Sequence, residues 1–332
     1  MTDRERKQRP PRLPRAYRAG HVALVGRPNV GKSTLLNALL GERVAIVSHH
    51  PQTTRDRLLG VLTTDTAQVA FLDTPGIHAP LNKLGTRMNR EAQDAIAGAD
   101  LIVFVTDVGK STPATGPAEL RPADLEILSK LPPKTPTLFV LNKVDRIAEK
   151  ARLVPVLEAA AKVRDFAAFV PISAKTSDGV RRILAEITAL LPKGPMLYPD
   201  DTLTDRPARW LVAEIVREQI LARTREELPH GVAVVVEGWL EPAAGGKKRR
   251  MPEIDVAIHV PKESHKKIIV GRGGAMLKEI GPRARARTER LLGEKVVLRL
   301  WVRVTENWLE SDHHLRELGY ALDESQGQEE GS

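Results

Sequence analysis

Eight consecutive residues define the first chemistry to expect of this chain. Gly26-Arg-Pro-Asn-Val-Gly31-Lys32-Ser33 is a complete G-x-x-x-x-G-K-[ST] loop. In such a loop the backbone N–H groups of Gly26, Asn29, Val30 and Gly31 wrap phosphate oxygens, and Thr34 falls in the first turn of the helix behind. The glycines permit the close wrap, and the helix N-terminus favours negative charge. Lys32 is placed to reach the β- and γ-phosphates, and the Ser33 hydroxyl to ligate magnesium. Alone, the loop implies a P-loop nucleotide enzyme, a class that includes kinases and ATPases.

Three further segments narrow the chemistry. Asp73-Thr-Pro-Gly76 follows an apolar run, so Asp73 can hold the magnesium shell while the Gly76 N–H touches the γ-phosphate. Gln52-Thr53-Thr54-Arg55-Asp56 lies between these motifs in a polar loop of switch type. One of its threonines can close on magnesium when the γ-phosphate is present; Thr54 is favoured over Thr53. Asn142-Lys143-Val144-Asp145 selects the base. The Asp145 carboxylate accepts from the paired donors N1 and N2 of guanine, a pair that adenine lacks, and the stem of Lys143 covers the base plane. Ser173-Ala174-Lys175 supplies a backbone N–H for the guanine carbonyl. GTP or GDP with Mg2+ is the implied ligand.

Elements must deliver these motifs to one edge. Apolar strand runs at 22–25, 69–72, 101–105, 137–141 and 169–172 alternate with helical stretches at 32–40, 83–97, 123–130, 151–163 and 180–190. That order predicts an α/β P-loop domain, a mainly parallel sheet with helices on both faces, with one antiparallel edge strand over 58–63. Each motif then follows a strand, at the carboxyl edge where such sheets bind ligands.

A basic, proline-rich arm (1–19) precedes this domain (20–195), and a polar linker (196–206) follows it. The next pattern is a helix over 210–221, strands over 232–240 and 254–260, helices over 262–270 and 275–292, a strand over 296–304 and a helix over 308–318. Gly281-Pro282 is expected to break the second of the paired helices. Gly271-Arg272-Gly273-Gly274 joins those helices as a GxxG turn, the device by which KH domains clamp about four nucleotides of backbone. The order predicts a smaller α+β domain of type II KH form (207–320), followed by an acidic tail (321–332). Lys262 to Arg303 holds 12 basic and 4 acidic residues, a local excess suited to a polyanion. Lys266, Lys267, Arg272, Lys278, Arg283 and Arg287 are candidate RNA contacts, with Ile268, Ile269 and Ile280 expected to line a groove for bases. Trp301 and Trp308 are expected in the core.

The 332 residues contain no cysteine, which excludes disulfides, thiolate metal sites and cysteine nucleophiles and fits a cytoplasmic protein. No apolar run is long enough for a transmembrane segment. The formal charge is +9.

GRPNVGKSTLLNALLG, PQTTRDR, DTPGIH, NKVD and PISAKT resemble the Era family of bacterial, translation-factor-like GTPases, from about residue 20 to residue 320. The resemblance implies binding to the 3′ end of 16S rRNA and a role in maturation of the small (30S) ribosomal subunit. One position raises a catalytic question. Ras-like enzymes orient the attacking water with a glutamine after the DxxG glycine; here Ile77 stands there. Related GTPases with a hydrophobic residue at that point and a P-loop asparagine can bind potassium beside the phosphates. Asn29 is therefore a candidate K+ ligand, the alternative being a hydrogen bond within its own loop. Two other functions stay open on the residues alone. The second domain could dock proteins, making a signalling switch, or the chain could lie peripherally on a membrane through its arm and Lys247 to Arg250.

Overall fold

Strand β1 (Arg18–Val25) is apolar on both faces: Val22 and Leu24 enter one core, Ala23 and Val25 another. Such a strand belongs in the middle of a sheet covered on both sides. In the computed structural model, which describes residues 17–50, 52–77, 80, 82–109, 119–224, 228–241 and 251–320, that is where it lies. Its sheet also contains β2 (Leu58–Thr63), β3 (Ala67–Asp73), β4 (Leu101–Asp107), β5 (Thr137–Asn142) and β6 (Ala168–Pro171), in the order β2-β3-β1-β4-β5-β6. Only the β2–β3 pairing is antiparallel. Helices α1 (Lys32–Leu40) and α5 (Val180–Leu190) cover one face; α2 (Lys83–Ala97), α3 (Pro122–Ser129) and α4 (Val154–Ala161) cover the other. The chain leaves β1 toward β3 on one side and β4 on the other, so a crevice opens at the carboxyl end of β1.

The sheet begins earlier than expected, inside the segment assigned to the basic arm. Arg18 and Ala19 pair with Ala67 and Gln68, and Tyr17 is buried. Tyr17 O accepts from Gly194 N, and Ala19 N donates to Pro192 O, so the two ends of the domain bind each other. The rest of the arm, 1–16, lies outside the described residues, as do the loop 242–250 with its Lys247 to Arg250 cluster and the tail 321–332. The expected linker runs along the sheet edge. Leu203 O accepts from Val61 N at 2.9 Å, and the buried Gln68 takes the N–H groups of Leu197 and Tyr198 on its Oε1.

The second domain packs α6 (Ala208–Leu221), α7 (Glu263–Val270) and α8 (Ala275–Leu292) on a sheet of β7 (Ala233–Leu240), β8 (Glu253–Val260) and β9 (Val297–Val304). β7 and β8 are antiparallel, β8 and β9 parallel. Helix α8 does not break at Pro282 but runs through it. Pro282 is on the solvent face, where a carbonyl left without its helical donor can be hydrated, while Ile280, Ala284 and Thr288 hold the other face in the core. The last helix, α9, is only Asp312–Glu317; Trp308, ahead of it, is fully buried. Trp308, Leu315, Leu318 and Tyr320 form one apolar cluster with Ala233 and with Leu84 and Met88 of α2, so the second domain sits directly on the first. Among the described residues no helix is long and apolar enough to cross a membrane.

Candidate functional site

The crevice at the end of β1 is a cavity of about 380 Å3, with Asn29, Gly31, Lys32, Ser33 and Thr34 on its floor. Gly31 has φ +103°, and a Cβ there would sit 2.3 Å from the Asn142 amide, so no other residue fits this turn. Lys32 is buried at the start of α1, donating to Gly26 O (2.9 Å) and Arg27 O (3.2 Å). Burial pushes its ammonium down to about 8, against the pull of nearby Asp73. An anion at the loop would reverse that loss of solvation.

Asp73, Ser33 and Thr54 converge beside this lysine. Ser33 Oγ donates to Asp73 Oδ2 at 2.7 Å, and the Thr54 hydroxyl lies 2.9 Å from Ser33 Oγ and 3.3 Å from Asp73 Oδ2. Asp73 is fully buried, which pushes its carboxyl up, and its Oδ1 has no hydrogen-bond partner. An orphaned buried carboxylate oxygen next to two hydroxyls is a hard-oxygen donor set, and it fits magnesium. Thr53 turns away: its hydroxyl bonds Ser48 Oγ (2.7 Å) and His50 O (2.6 Å). Gly76 lines the same cavity. Ile77 packs its side chain on the apolar core and presents no hydrogen-bonding group.

At the base end, Asn142 joins three motifs. Its Nδ2 donates to Val30 O (2.8 Å), and its Oδ1 accepts from Lys143 N (2.7 Å) and Ala174 N (3.0 Å). Asp145 is exposed at the cavity rim and accepts from Ser173 Oγ at 2.7 Å; Lys175 lines the cavity beside it. Lys143 reaches across the loop to Asn29 O (2.6 Å) and Asp107 Oδ2 (2.7 Å). Burial works against the charge on Asp107, but the Lys143 ammonium, with Arg121 and Arg27, holds this carboxyl below the usual range. Sequence reasoning missed Asp107; its position at the end of β4, the edge that carries the other motifs, was the available signal. Asn29 itself, at φ +62°, donates from Nδ2 to His49 O (2.8 Å), so its partner is the switch segment rather than its own loop.

The switch residues depart most from expectation. In place of a solvated polar loop, Arg55 and Asp56 are buried. Arg55 donates to Val232 O (2.6 Å) and His230 O (2.9 Å) of the second domain and lies over the Trp308 and Tyr320 rings. Asp56 accepts from Arg87 of α2 at 2.7 Å. Gln52 Oε1 is 3.2 Å from His230 Nδ1, and Thr53 O accepts from Arg217 of α6. Arg217 and its neighbours Glu214 and Glu218 were also missed, although charged residues flanked by Val212, Ala213, Ile215, Val216 and Ile220 mark buried ion pairs.

In the second domain the GxxG turn is exposed between α7 and α8. Gly273, at φ +57°, faces open space. Arg272, Lys267 and Lys278 are solvent-facing; Lys266 is 3.9 Å from Glu263 and Arg283 is 3.5 Å from Glu279, both at the surface. Two expectations need correction. Arg287 is turned inward to the buried Glu218, because α8 places it on the face toward α6. Ile269 and Ile280 are wholly in the core, leaving Ile268, about half exposed, as the apolar residue of the groove.

Fold and site together define a P-loop GTPase joined to a KH domain. Residues 21–143 match the 50S ribosome-binding GTPase family, and residues 227–309 match the KH domain. The chain belongs to the Era family of GTPases. It is 42% identical to GTPase Era of Syntrophus aciditrophicus, covering 92% of this chain and 95% of that protein. To GTPase Era of Lacticaseibacillus paracasei it is 44% identical, covering 92% and 97%. The crystal structure of Era with MgGDPNP and nucleotides 1506–1542 of 16S ribosomal RNA superposes with a TM-score of 0.86 at 40% identity, covering 92% of this chain and all of that one. An Aquifex aeolicus Era variant bound to GDP·AlF4− gives 0.85, also at 40% identity. The protein is a GTPase.

Proposed function

We propose that this GTPase binds the 3′ end of 16S rRNA through its KH domain and acts in assembly of the small ribosomal subunit, in the cytoplasm. The observation that carries the reading is the exposed GxxG turn flanked by unburied lysines and arginines, in a chain that aligns along nearly its whole length with an Era bound to that RNA. Arg272, Lys266, Lys267, Lys278 and Arg283 supply positive charge to the phosphates, and Gly271, Gly273 and Gly274 let backbone approach them. The P-loop amides and Lys32 hold the triphosphate; Asp145 and a backbone N–H of the 173–175 segment recognise guanine, and Asn142 ties that segment to the P-loop. Ser33, Thr54 and Asp73 would hold Mg2+, which when bound would supply positive charge to the phosphates. Asn29, whose Nδ2 is held by His49 O, carries a neutral amide oxygen of the kind that K+ accepts, and such a cation suits a site whose Ile77 cannot orient water.

The test replaces Arg272 and Gly273 together by Asp. Two carboxylates then stand where phosphates should lie, so affinity for an oligonucleotide matching the 16S 3′ end should fall by at least tenfold, about 1.4 kcal/mol. Filter binding measures it, with circular dichroism as the folding check. A folded double variant that binds this RNA like wild type would exclude the turn as the RNA site and favour a protein-docking or membrane-binding domain.

A further inference from the structure

The wall that closes the nucleotide cavity is formed by residues 46–49 and 52–54, with Val47, Ser48, His49, Gln52 and Thr54 among its lining residues. Its outer side rests on α6 of the second domain, where two adjacent charged residues occupy buried positions: Arg217, 1% exposed, and Glu218, 3% exposed. Glu218 Oε1 accepts from Val47 N at 2.9 Å, and Arg217 Nη2 donates to Thr53 O. The two ends of the wall are thus held by neighbouring residues on one rigid helix.

The Arg217 contact bears directly on the magnesium donors. Thr53 O belongs to the planar peptide unit that ends at the Thr54 Cα, so fixing that oxygen orients Thr54. On the other side of Thr54, the Arg55 side chain is tied to Val232 O and His230 O. Thr54 is therefore clamped from both directions by the second domain while its hydroxyl meets Ser33 and Asp73. Arg217 is itself fixed, because Glu214 accepts from its Nε and Nη2 at 2.6 Å each, a two-pronged pairing that sets the plane of the guanidinium.

We infer that Arg217 is a positioning residue of the nucleotide site: from the KH domain it holds the 53–54 peptide so that the Thr54 hydroxyl stays with Ser33 and Asp73, making the second domain part of the magnesium-dependent discrimination between GTP and GDP. This rests on the reading of Ser33, Thr54 and Asp73 given above. Without the clamp the switch segment samples other positions, and a ligand that needs the clamped state binds more weakly by the fraction of time the state is lost. GDP bound without magnesium makes no demand on Thr54. A purely structural role for the Arg217–Glu214 pair would instead lower stability and change both nucleotides alike.

The experiment uses the full chain and equilibrium fluorescence titration with labelled GDP and a labelled non-hydrolysable GTP analogue, over a range of magnesium concentrations. Arg217→Met is combined with Glu214→Gln so that no buried carboxylate is stranded. Losing a charge-assisted hydrogen bond to the switch backbone should raise the magnesium concentration needed for half-maximal analogue binding by about tenfold. Affinity for GDP without magnesium should be unchanged. Arg217→Lys keeps the charge but cannot keep the two-pronged pairing, so it should fold normally and give an intermediate value. Lys83→Ala removes an exposed ion pair with Asp312 at the same domain contact and should match wild type. Wild-type magnesium dependence in both Arg217 variants, or equal weakening of GDP and the analogue, would overturn the inference. A wild-type protein whose analogue binding ignores magnesium would instead bring down the assignment of the three donors, and the inference with it.

Discussion

Base choice is expected to rest on the charge at Asp145. The carboxylate is exposed at the rim and oriented by Ser173, so it offers two oxygen acceptors to the N1 and N2 donors of a guanine. Asp145→Asn replaces one acceptor by a donor facing a donor. Affinity for GTP should fall by at least tenfold, about 1.4 kcal/mol, as expected for loss of a hydrogen bond to a charged group. Xanthosine triphosphate, whose C2 carbonyl can accept from the new amide, should gain relative to GTP in equilibrium titration; an unchanged preference would exclude Asp145 as the base reader. Asn29 gives the second test at this scale. Charge placed beside the β–γ bridge assists where charge develops in the transition state. Turnover should therefore be faster in potassium than in sodium at equal ionic strength, and Asn29→Ala should remove the difference. Equal rates in the two salts, with the variant as fast as wild type, would leave Asn29 as a tie to His49 O and nothing more.

Helix α8 carries two kinds of arginine and lysine that sequence alone does not separate. Lys278 faces solvent near the GxxG turn, whereas Arg287, nine residues on, faces α6 and meets Glu218. Lys278→Ala should weaken RNA binding and reduce the slope of log affinity against log salt by about one. Arg287→Met should leave that slope unchanged and lower stability by roughly 1–2 kcal/mol, since Glu218 loses one partner but keeps Arg43 and Val47 N. Urea unfolding and salt-dependent RNA titration distinguish the two. The same helix shows where reading from sequence succeeds and where it stops. Apolar period placed α1, α2, α5 and β2 at their observed limits, and the four nucleotide motifs meet at one sheet edge because each is local and follows a strand. The buried roles of Arg55, Arg217 and Glu218 arise from contacts 160 or more residues apart in the chain, and that of Arg287 from its meeting with Glu218 on another helix. Charge suggests solvent, and only tertiary packing shows which of these charges found buried partners. Pro282 was misjudged for a related reason, since a helix pinned by Ile280, Ala284 and Thr288 tolerates one missing backbone bond.

For the molecule as a whole, the boundary between the basic arm and the folded body makes a sharp prediction. Residues 1–16 hold 6 basic and 2 acidic side chains with no apolar period, so they offer charge to a polyanion but nothing to a core. Tyr17, Arg18 and Ala19 belong to the body: Tyr17 is 3% exposed, Arg18 donates to Leu191 O, and Ala19 bonds Pro192 O. Deleting 1–16 should leave the melting temperature and the affinity for a GTP analogue unchanged, while RNA affinity drops and its salt dependence flattens. Deleting three residues more, through Ala19, removes a buried aromatic ring and unties the two ends of the first domain. Burial of such a side chain contributes about 2 kcal/mol, so the melting temperature should fall by roughly 5 °C. Scanning calorimetry on the two truncations, with RNA titration at two salt concentrations, separates the roles. Equal melting temperatures would show that the 17–19 strand extension contributes nothing to stability, and an unaltered salt slope in the shorter deletion would show that the arm's charge never meets the RNA.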